Sequence, residues 1–262
     1  MKNYPERQTS RAAGWSRRAG AFSLVLLVTA WVGHHYELVE TPAFLWVLGI
    51  VALLAAAALL FAGFAFSRLW NFGDRGGRDL TVGTLLALLV LVPYGVAAYW
   101  VTTTPPLRDI STDLDDPPVL GTAAGRTMAM NALVPLSPGE QRLQAENYPL
   151  VTGRSYNLPL EDVVDTVETV LERQGWQLAT PLPVSDEQSE VTIGAVAKSF
   201  VLDLPVDVAI RVSDDGDTTL VDMRSASRYG RHDLGDNAAR IVAFLAELDQ
   251  QIAGQVGTAA AE

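Results

Sequence analysis

Hydrophobic residues dominate the first hundred positions of the chain, in three stretches that carry no Asp, Glu, Lys or Arg. The stretches are Ala19–Tyr36, Ala43–Phe66 and Leu80–Val101. A helix needs about 20 apolar residues to cross a hydrocarbon core about 30 Å thick. The pattern therefore predicts three transmembrane helices that form a membrane anchor over residues 19–101. The first stretch reaches the required length only if His34–Tyr36 lie at the membrane interface.

Basic residues near these stretches predict the orientation, since Lys and Arg are retained on the cytoplasmic side of a membrane. The segment 1–18 carries five basic residues, the loop 37–42 carries none and the loop 67–79 carries three. This alternation predicts a cytoplasmic N-terminus and places everything after Val101 on the opposite side. We therefore expect an integral membrane protein of a bacterial inner membrane, with a periplasmic C-terminal domain.

Two other interpretations of the apolar stretches are less favoured. A cleaved export signal needs a small-residue cleavage pattern, which does not precede the bulky residues Trp31 and Tyr36. A transporter or pump usually carries ionisable residues deep in the membrane, and these stretches have none at that depth. A simple anchor is the favoured interpretation.

Beyond Val101 the apolar residues recur with the period of strands in some segments and with the period of helices in others, which is typical of an α+β domain. Alternation of apolar and polar residues predicts strands, the last two joined by the turn residues Asp214–Asp217. The four predicted strands are Trp176–Ala179, Val191–Ala197, Val206–Ser213 and Thr219–Ser227. Helical spacing predicts one helix after Pro159 and another after Asp233. The predicted fold class is α+β, a two-layer sandwich of antiparallel strands with helices on one face.

Proline and aspartate residues mark the boundary between the two parts. Residues 102–120 hold four prolines and four aspartates. This segment is predicted to be extended, either as a linker or as a strap along the domain. A calcium site is the less favoured alternative, because the glycine and glutamate of an EF-hand loop are missing. The soluble domain is predicted over residues 121–254, and residues 255–262 are predicted to be a disordered tail.

Composition narrows the function classes. The chain carries a formal net charge of −11, and the part beyond residue 101 holds 25 acidic and 11 basic residues. So acidic a surface disfavours nucleic acid as a partner. The absence of cysteine excludes disulfides, thiol catalysis and thiolate metal sites. No cofactor and no metal site is predicted, since His232 stands alone and the adjacent His34 and His35 lie at the membrane interface.

Two stretches of the soluble part carry a family resemblance. Pro105–Pro118 has the sequence PPLRDISTDLDDPP, and Val221–Gly235 has the sequence VDMRSASRYGRHDLG. Together they resemble the two ends of an uncharacterised bacterial and plastid family, the domain of unknown function 1499. The resemblance spans about residues 105 to 246. Because that family has no assigned activity, the resemblance implies a domain boundary and no particular chemistry.

Charged residues around the last predicted strand form the candidate ligand site. Strand alternation turns Arg211, Asp222 and Arg224 to the face opposite the helices, and the following turn brings further charges near them. The candidate residues are Arg211, Asp222, Arg224, Arg228, Arg231 and Asp233. Clustered guanidinium groups can bind a carboxylate or phosphate through paired hydrogen bonds. A network of ion pairs on a solvated sheet face is the more ordinary alternative.

A catalytic interpretation is weaker than a binding one. Ser225 or Ser227 with His232 and Asp233 supplies the residue types of a hydrolase triad, but these neighbours lack a nucleophile elbow. We expect a membrane-anchored, non-catalytic envelope module that binds a small anionic ligand or another envelope protein, besides the lipid bilayer. A structural subunit of a membrane complex and an enzyme of unknown class are the alternatives.

Overall fold

Three long helices come first in the chain: α1 (Arg11–His35), α2 (Thr41–Phe72) and α3 (Gly77–Thr103). The computed structural model describes residues 8–121, 126–179 and 189–259. Internal contacts divide the chain into two units, Met1–Tyr99 and Trp100–Glu262, so the last turn of α3 belongs to the second unit. Lys2 and Arg7 of the predicted basic N-terminus lie outside the described residues.

Two of these helices are long and apolar enough to cross a membrane. They are α2 and α3, whereas α1 does not reach that threshold. The apolar run of α1 is short because Arg18 and His34 bound it, and because Gly20, Ser23 and Thr29 interrupt it. The structure therefore supports two of the three predicted membrane-length helices.

Small residues allow α1 to approach α3 closely. A β-carbon added at Gly20 would lie 2.9 Å from the carbonyl oxygen of Gly83. Near the same ends of the helices, Arg17 forms an ion pair with Asp79 at 2.9 Å. Only the short loop 36–40 separates α1 from α2. The start of α1 therefore lies beside the start of α3, and α1 runs parallel to α3.

Six strands in the described part of the second unit form one sheet. They are β1 (Asp109–Ser111), β2 (Arg154–Tyr156), β3 (Gln177–Leu178), β4 (Glu190–Lys198), β5 (Pro205–Asp214) and β6 (Thr219–Ser227). The order across the sheet is β1-β6-β5-β4-β3, and β2 also pairs with β6. All of these pairings are antiparallel.

Among the described residues, the helices that accompany the sheet are α4 (Pro138–Asn147), α5 (Leu160–Gln174) and α6 (Asp236–Ala259). The apolar stripes of α5 and α6 pack on one sheet face, where Val167 and Leu245 meet Ile210 and Met223 in a fully buried core. The α5 helix ends at Gly175, whose φ of 65° suits a residue without a side chain. The prediction of an α+β fold with an antiparallel sheet is confirmed.

Short strands and helix ends differ from the sequence-based expectation. Strand β6 has the bounds that alternation predicts, whereas β1 and β2 were not predicted, since three residues are too few to show a period. The α6 helix continues to Ala259, into the stretch predicted to be a disordered tail. Residues 260–262 of that tail lie outside the described residues.

Candidate functional site

The sheet face opposite α5 and α6 is covered by the chain itself. Residues 109–121, which we call the strap, begin as β1 at the edge of the sheet and continue across this face. Leu120 of the strap is buried against Ala209 of β5 and Ala226 of β6. The segment predicted to be a linker or a strap is therefore in contact with the domain.

Arg224 of β6 holds the beginning of the strap. Its Nε and one terminal nitrogen donate to the two carboxylate oxygens of Asp109 at 2.9 and 2.8 Å. The other terminal nitrogen donates to the carbonyl oxygen of Pro118 at 3.3 Å. The Asp109 side chain is 9% exposed and that of Arg224 14% exposed. This paired geometry in a nearly dry site is the strong form of an ion pair.

Arg211 of β5 holds the middle of the strap. Its terminal nitrogens donate to Asp116 at 2.7 Å and to Asp113 at 2.8 Å, and one of them also lies 3.5 Å from Asp222. Burial, the largest single influence on Asp113, acts to raise its pKa. Hydrogen bonds from the N–H groups of Asp116 and Asp115 and from Arg211 outweigh it and leave the pKa of Asp113 below its ordinary value. Asp113 is therefore an anion at neutral pH.

A third group of charges lies deeper, around Asp207 of β5. This carboxylate is fully buried, and its two oxygens form ion pairs with Arg228 at 2.6 Å and with Arg126 at 2.5 Å. Arg126 also donates to the carbonyl oxygen of Asn131, and the Asn131 amide donates to the backbone of Ser227. A buried charge needs such partners, because an unpaired one is costly in a low-dielectric site.

The two remaining candidates lie outside this face. Arg231 is exposed in the turn after β6 and makes no ion pair with any other described residue. Asp233 accepts hydrogen bonds from the N–H groups of Gly235 at 2.9 Å and Asn237 at 3.2 Å, at the start of α6. Burial raises the pKa of Asp233 above its ordinary value, although these two N–H groups oppose the shift. Asp233 acts as a helix cap.

The residues of the suggested hydrolase triad do not form one. The N–H of Leu234 donates to Nδ1 of His232 at 3.0 Å, so the ring proton is on Nε2, which donates to the carbonyl oxygen of Thr104 at 3.1 Å. Neither ring nitrogen is available to a serine. Ser225 is fully buried and bonded to Asn237. These side chains therefore stabilise the fold and do not form a catalytic triad.

A pocket of about 270 Å³ lies at the end of the domain that contains the last turn of α3, and we call it the α3-end pocket. One wall is Trp100 of α3, and another is the loop 199–204 between β4 and β5. Its apolar lining includes Trp100, Phe200, Val201, Leu204, Val206 and Leu234. Its charged lining residues are Asp233 and Asp236, and Asp236 is paired with Arg240 at 2.5 Å.

Hydrogen bonds join the two ends of the loop 199–204, and the apolar tip of the loop is exposed. The N–H of Ser199 donates to the carbonyl oxygen of Leu204 at 2.8 Å, and the Ser199 hydroxyl accepts from the N–H of Leu204 at 3.0 Å. Arg240 of α6 donates to the carbonyl oxygen of Lys198 at the base of the loop. Phe200 at the tip is 85% exposed. In the sequence this feature corresponds to the apolar run Phe200–Leu202 between two predicted strands, and so short a run in a loop does not by itself indicate a pocket.

Comparison with known proteins assigns the second unit to a family. A model described as "Protein of unknown function (DUF1499)" matches residues 109–248, which is more than half of the chain. The chain belongs to the DUF1499 family. The match begins at β1 and ends in α6. The DUF1499 domain therefore includes the strap, most of the α3-end pocket and the sheet face under the strap, which we call the arginine face after Arg211, Arg224 and Arg228.

Other comparisons add no functional information to the DUF1499 assignment. No curated protein matches the chain. Among solved structures, the chain is similar to the vertebrate conserved region of human METTL16, with 19% sequence identity and a TM-score of 0.26. That similarity covers 45% of this chain and 97% of the other. At this TM-score it carries no argument about the fold or the function of the DUF1499 domain.

Proposed function

We propose that the chain is a membrane-anchored, non-catalytic envelope module whose DUF1499 domain binds a small ligand or a protein partner in the α3-end pocket. The anchor lies in a bacterial inner membrane, with the N-terminus in the cytoplasm and the domain in the periplasm. The observation that carries the proposal is an apolar pocket that includes a residue of α3 itself.

Exposed apolar side chains support the membrane anchor. Only 22% of the most apolar segment of α2, and 17% of that of α3, is buried within the structure. Trp46, Leu53 and Phe64 of α2 are each more than 60% exposed. A core helix of a water-soluble protein would bury such side chains, whereas lipid would cover them.

Packing supports a third membrane crossing by α1. This helix has 25 residues and lies beside α3 from its first turns, where Gly20 contacts Gly83. A helix of that length extends about 37 Å, so α1 accompanies the other two helices through the hydrocarbon core. Phe22, Val25 and Val28 of α1 are exposed and available to lipid. Three crossings place the domain on the side opposite the N-terminus.

A reporter enzyme that is active only after export tests this topology. Fused after Glu262, it will be active, because three crossings and the basic segments put the C-terminus outside. The same reporter placed in the basic loop 67–79 will be inactive and serves as the control. Activity of a cytoplasm-only reporter at Glu262 would overturn the assignment.

The arginine face is the weaker binding site. Arg211, Arg224 and Arg228 each have a carboxylate partner, so a small anion would have to displace Asp109, Asp113 or Asp207. The α3-end pocket needs no such displacement. Catalysis is also disfavoured, because Asp233 caps α6 and both ring nitrogens of His232 are bonded to the backbone.

Single cysteines test whether the α3-end pocket is occupied, since the chain has none of its own. Ala239 lines the pocket on α6 and is exposed, and Ala246 is an exposed alanine of the same helix outside the pocket lining. In native membranes a thiol reagent will modify Ala239→Cys about tenfold more slowly than Ala246→Cys, because a bound ligand or partner shields the first.

The shielding must be reversible for the proposal to hold. After extraction and washing in a bile-salt detergent, which has no alkyl chain to enter the pocket, the two cysteines will react at similar rates, because both positions are exposed in the chain alone. Equal rates already in native membranes would show that the pocket is empty and would remove the basis of the proposal.

A further inference from the structure

We propose that the α3-end pocket holds one acyl chain of a phospholipid from the bilayer that α3 crosses. This inference rests on the proposed function, because the pocket borders lipid only if α3 is a membrane helix. Four properties of the second unit carry it: the position of Trp100, the apolar loop 199–204, the charge of the pocket lining and the volume of the pocket.

The length of α3 puts Trp100, one wall of the pocket, at the membrane interface. Its 27 residues extend about 40 Å, more than the roughly 30 Å of a hydrocarbon core, so its ends reach the interfacial regions. Trp100 lies three residues before the end at Thr103. Tryptophan favours this interface, where an apolar ring meets lipid and its N–H meets water. A pocket with Trp100 in its wall is within reach of lipid chains.

The loop 199–204 forms an apolar wall of the pocket, which suits an apolar ligand better than a water-soluble one. Phe200 is 85% exposed and Val201 is 37% exposed, although both line the same pocket as Trp100. The loop is held in place by the hydrogen bonds of Ser199 with Leu204. In water this exposure of an ordered phenyl ring is unfavourable, whereas contact with lipid chains covers it.

The charges in the pocket select an uncharged occupant. Asp233 and Asp236 line it, and no Lys or Arg is among its described lining residues. An anionic headgroup or a free fatty carboxylate would meet these carboxylates without a cation to pair with, which is unfavourable in a partly dry site. An acyl chain carries no charge, and its headgroup can stay outside in the interfacial water.

The size of the pocket suits a slender ligand. Its volume of about 270 Å³ lies just below the range of about 300–1,000 Å³ that is typical of small-molecule sites. One flexible chain can enter such a space by its end, and burial of its methylene groups drives the binding. A compact polar molecule would find few hydrogen-bond partners among these side chains.

Photo-crosslinking in lipid nanodiscs tests the inference with the full chain. The probe is a phosphatidylethanolamine with a diazirine in the middle of one acyl chain, mixed into bilayers of the unmodified lipid. Illumination will attach it to peptides that cover the loop 199–204 and the start of α6. Ala239→Trp fills the pocket and will reduce this labelling by about tenfold, whereas Ala246→Trp will not reduce it.

Two internal comparisons make the result specific. Labelling of α2 and α3 will be the same in all variants, because their apolar sides remain in lipid. A second probe with the diazirine in the headgroup will not label the pocket peptides above the level of the Ala239→Trp variant. Equal labelling of these peptides by both probes would contradict insertion of the chain.

The outcomes separate this inference from the proposed function. If the pocket peptides stay unlabelled by the chain probe while Ala239→Cys is shielded in native membranes, another ligand or a protein segment occupies the pocket. The lipid inference is then wrong and the binding function stands. If the peptides stay unlabelled and Ala239→Cys is not shielded, both are wrong.

Discussion

Replacing Asp207 with asparagine will destabilise the domain by about 3–5 kcal/mol, the largest effect that we expect from a single substitution. The carboxylate is fully buried between Arg126 and Arg228. Asparagine keeps the shape of the side chain but removes the negative charge, so two guanidinium groups remain in a nearly dry site without their counter-ion. Urea unfolding of the full chain in mild detergent, followed by the circular dichroism of the sheet, measures the loss.

The matched control is Asp217→Asn, the same chemical change at an exposed residue of the β5–β6 turn. It will alter the free energy of unfolding by less than about 0.5 kcal/mol. Equal midpoints for Asp207→Asn and Asp217→Asn would mean that the buried triad of charges contributes nothing to stability.

Replacing Arg224 with methionine will release the strap and cost about 2–3 kcal/mol. The substitution keeps the aliphatic part of the side chain and removes both hydrogen bonds to Asp109. The cost is smaller than at Asp207 because the strap can detach and return the Asp109 carboxylate to water. Hydrogen exchange measured by mass spectrometry will show the release as faster exchange over residues 109–116, while β4 and β5 stay protected.

Two further variants separate the ion pair from the general loss of an arginine. Arg231→Met makes the same change at an exposed arginine and will leave exchange over the strap as in the unmodified chain. Adding Asp109→Asn to Arg224→Met removes the unpaired charge and will recover part of the lost stability. Slow exchange of residues 109–116 in Arg224→Met would show that Arg224 does not hold the strap.

The arginine face illustrates how a binding site and a structural network share one sequence pattern. Clustered guanidinium groups on a sheet face can bind an anionic ligand. They can equally bind carboxylates from another segment of the same chain. Here the carboxylates come from the strap and from β5 itself. The α3-end pocket has the opposite character, because its lining is mostly apolar and comes from separate parts of the chain, namely the end of α3, the loop 199–204 and the start of α6.

Local patterns along the sequence determined the elements and their faces. Alternation in β5 and β6 and helical spacing in α5 and α6 depend on neighbours within a few residues, so the α+β class and the buried face could be predicted. The same holds for the apolar character of α2 and α3. Local patterns are less informative for strand β1 and for a membrane crossing by α1. Three residues carry no period, and a short apolar run has no sharp length threshold for crossing a membrane.

Only the tertiary structure decided which charges meet. The partners Asp109 and Arg224 are 115 residues apart, and Arg211 is 98 residues from Asp113. No local rule links residues at such separations, because their meeting depends on the antiparallel pairing of β1 with β6 and on the path of the strap. Trp100 and Phe200 are also far apart along the chain, and only the folded structure brings them into the lining of one pocket. The sequence alone determined where the charged and apolar residues stand along the chain, and long-range packing determined that the arginines hold the strap while the pocket stays open.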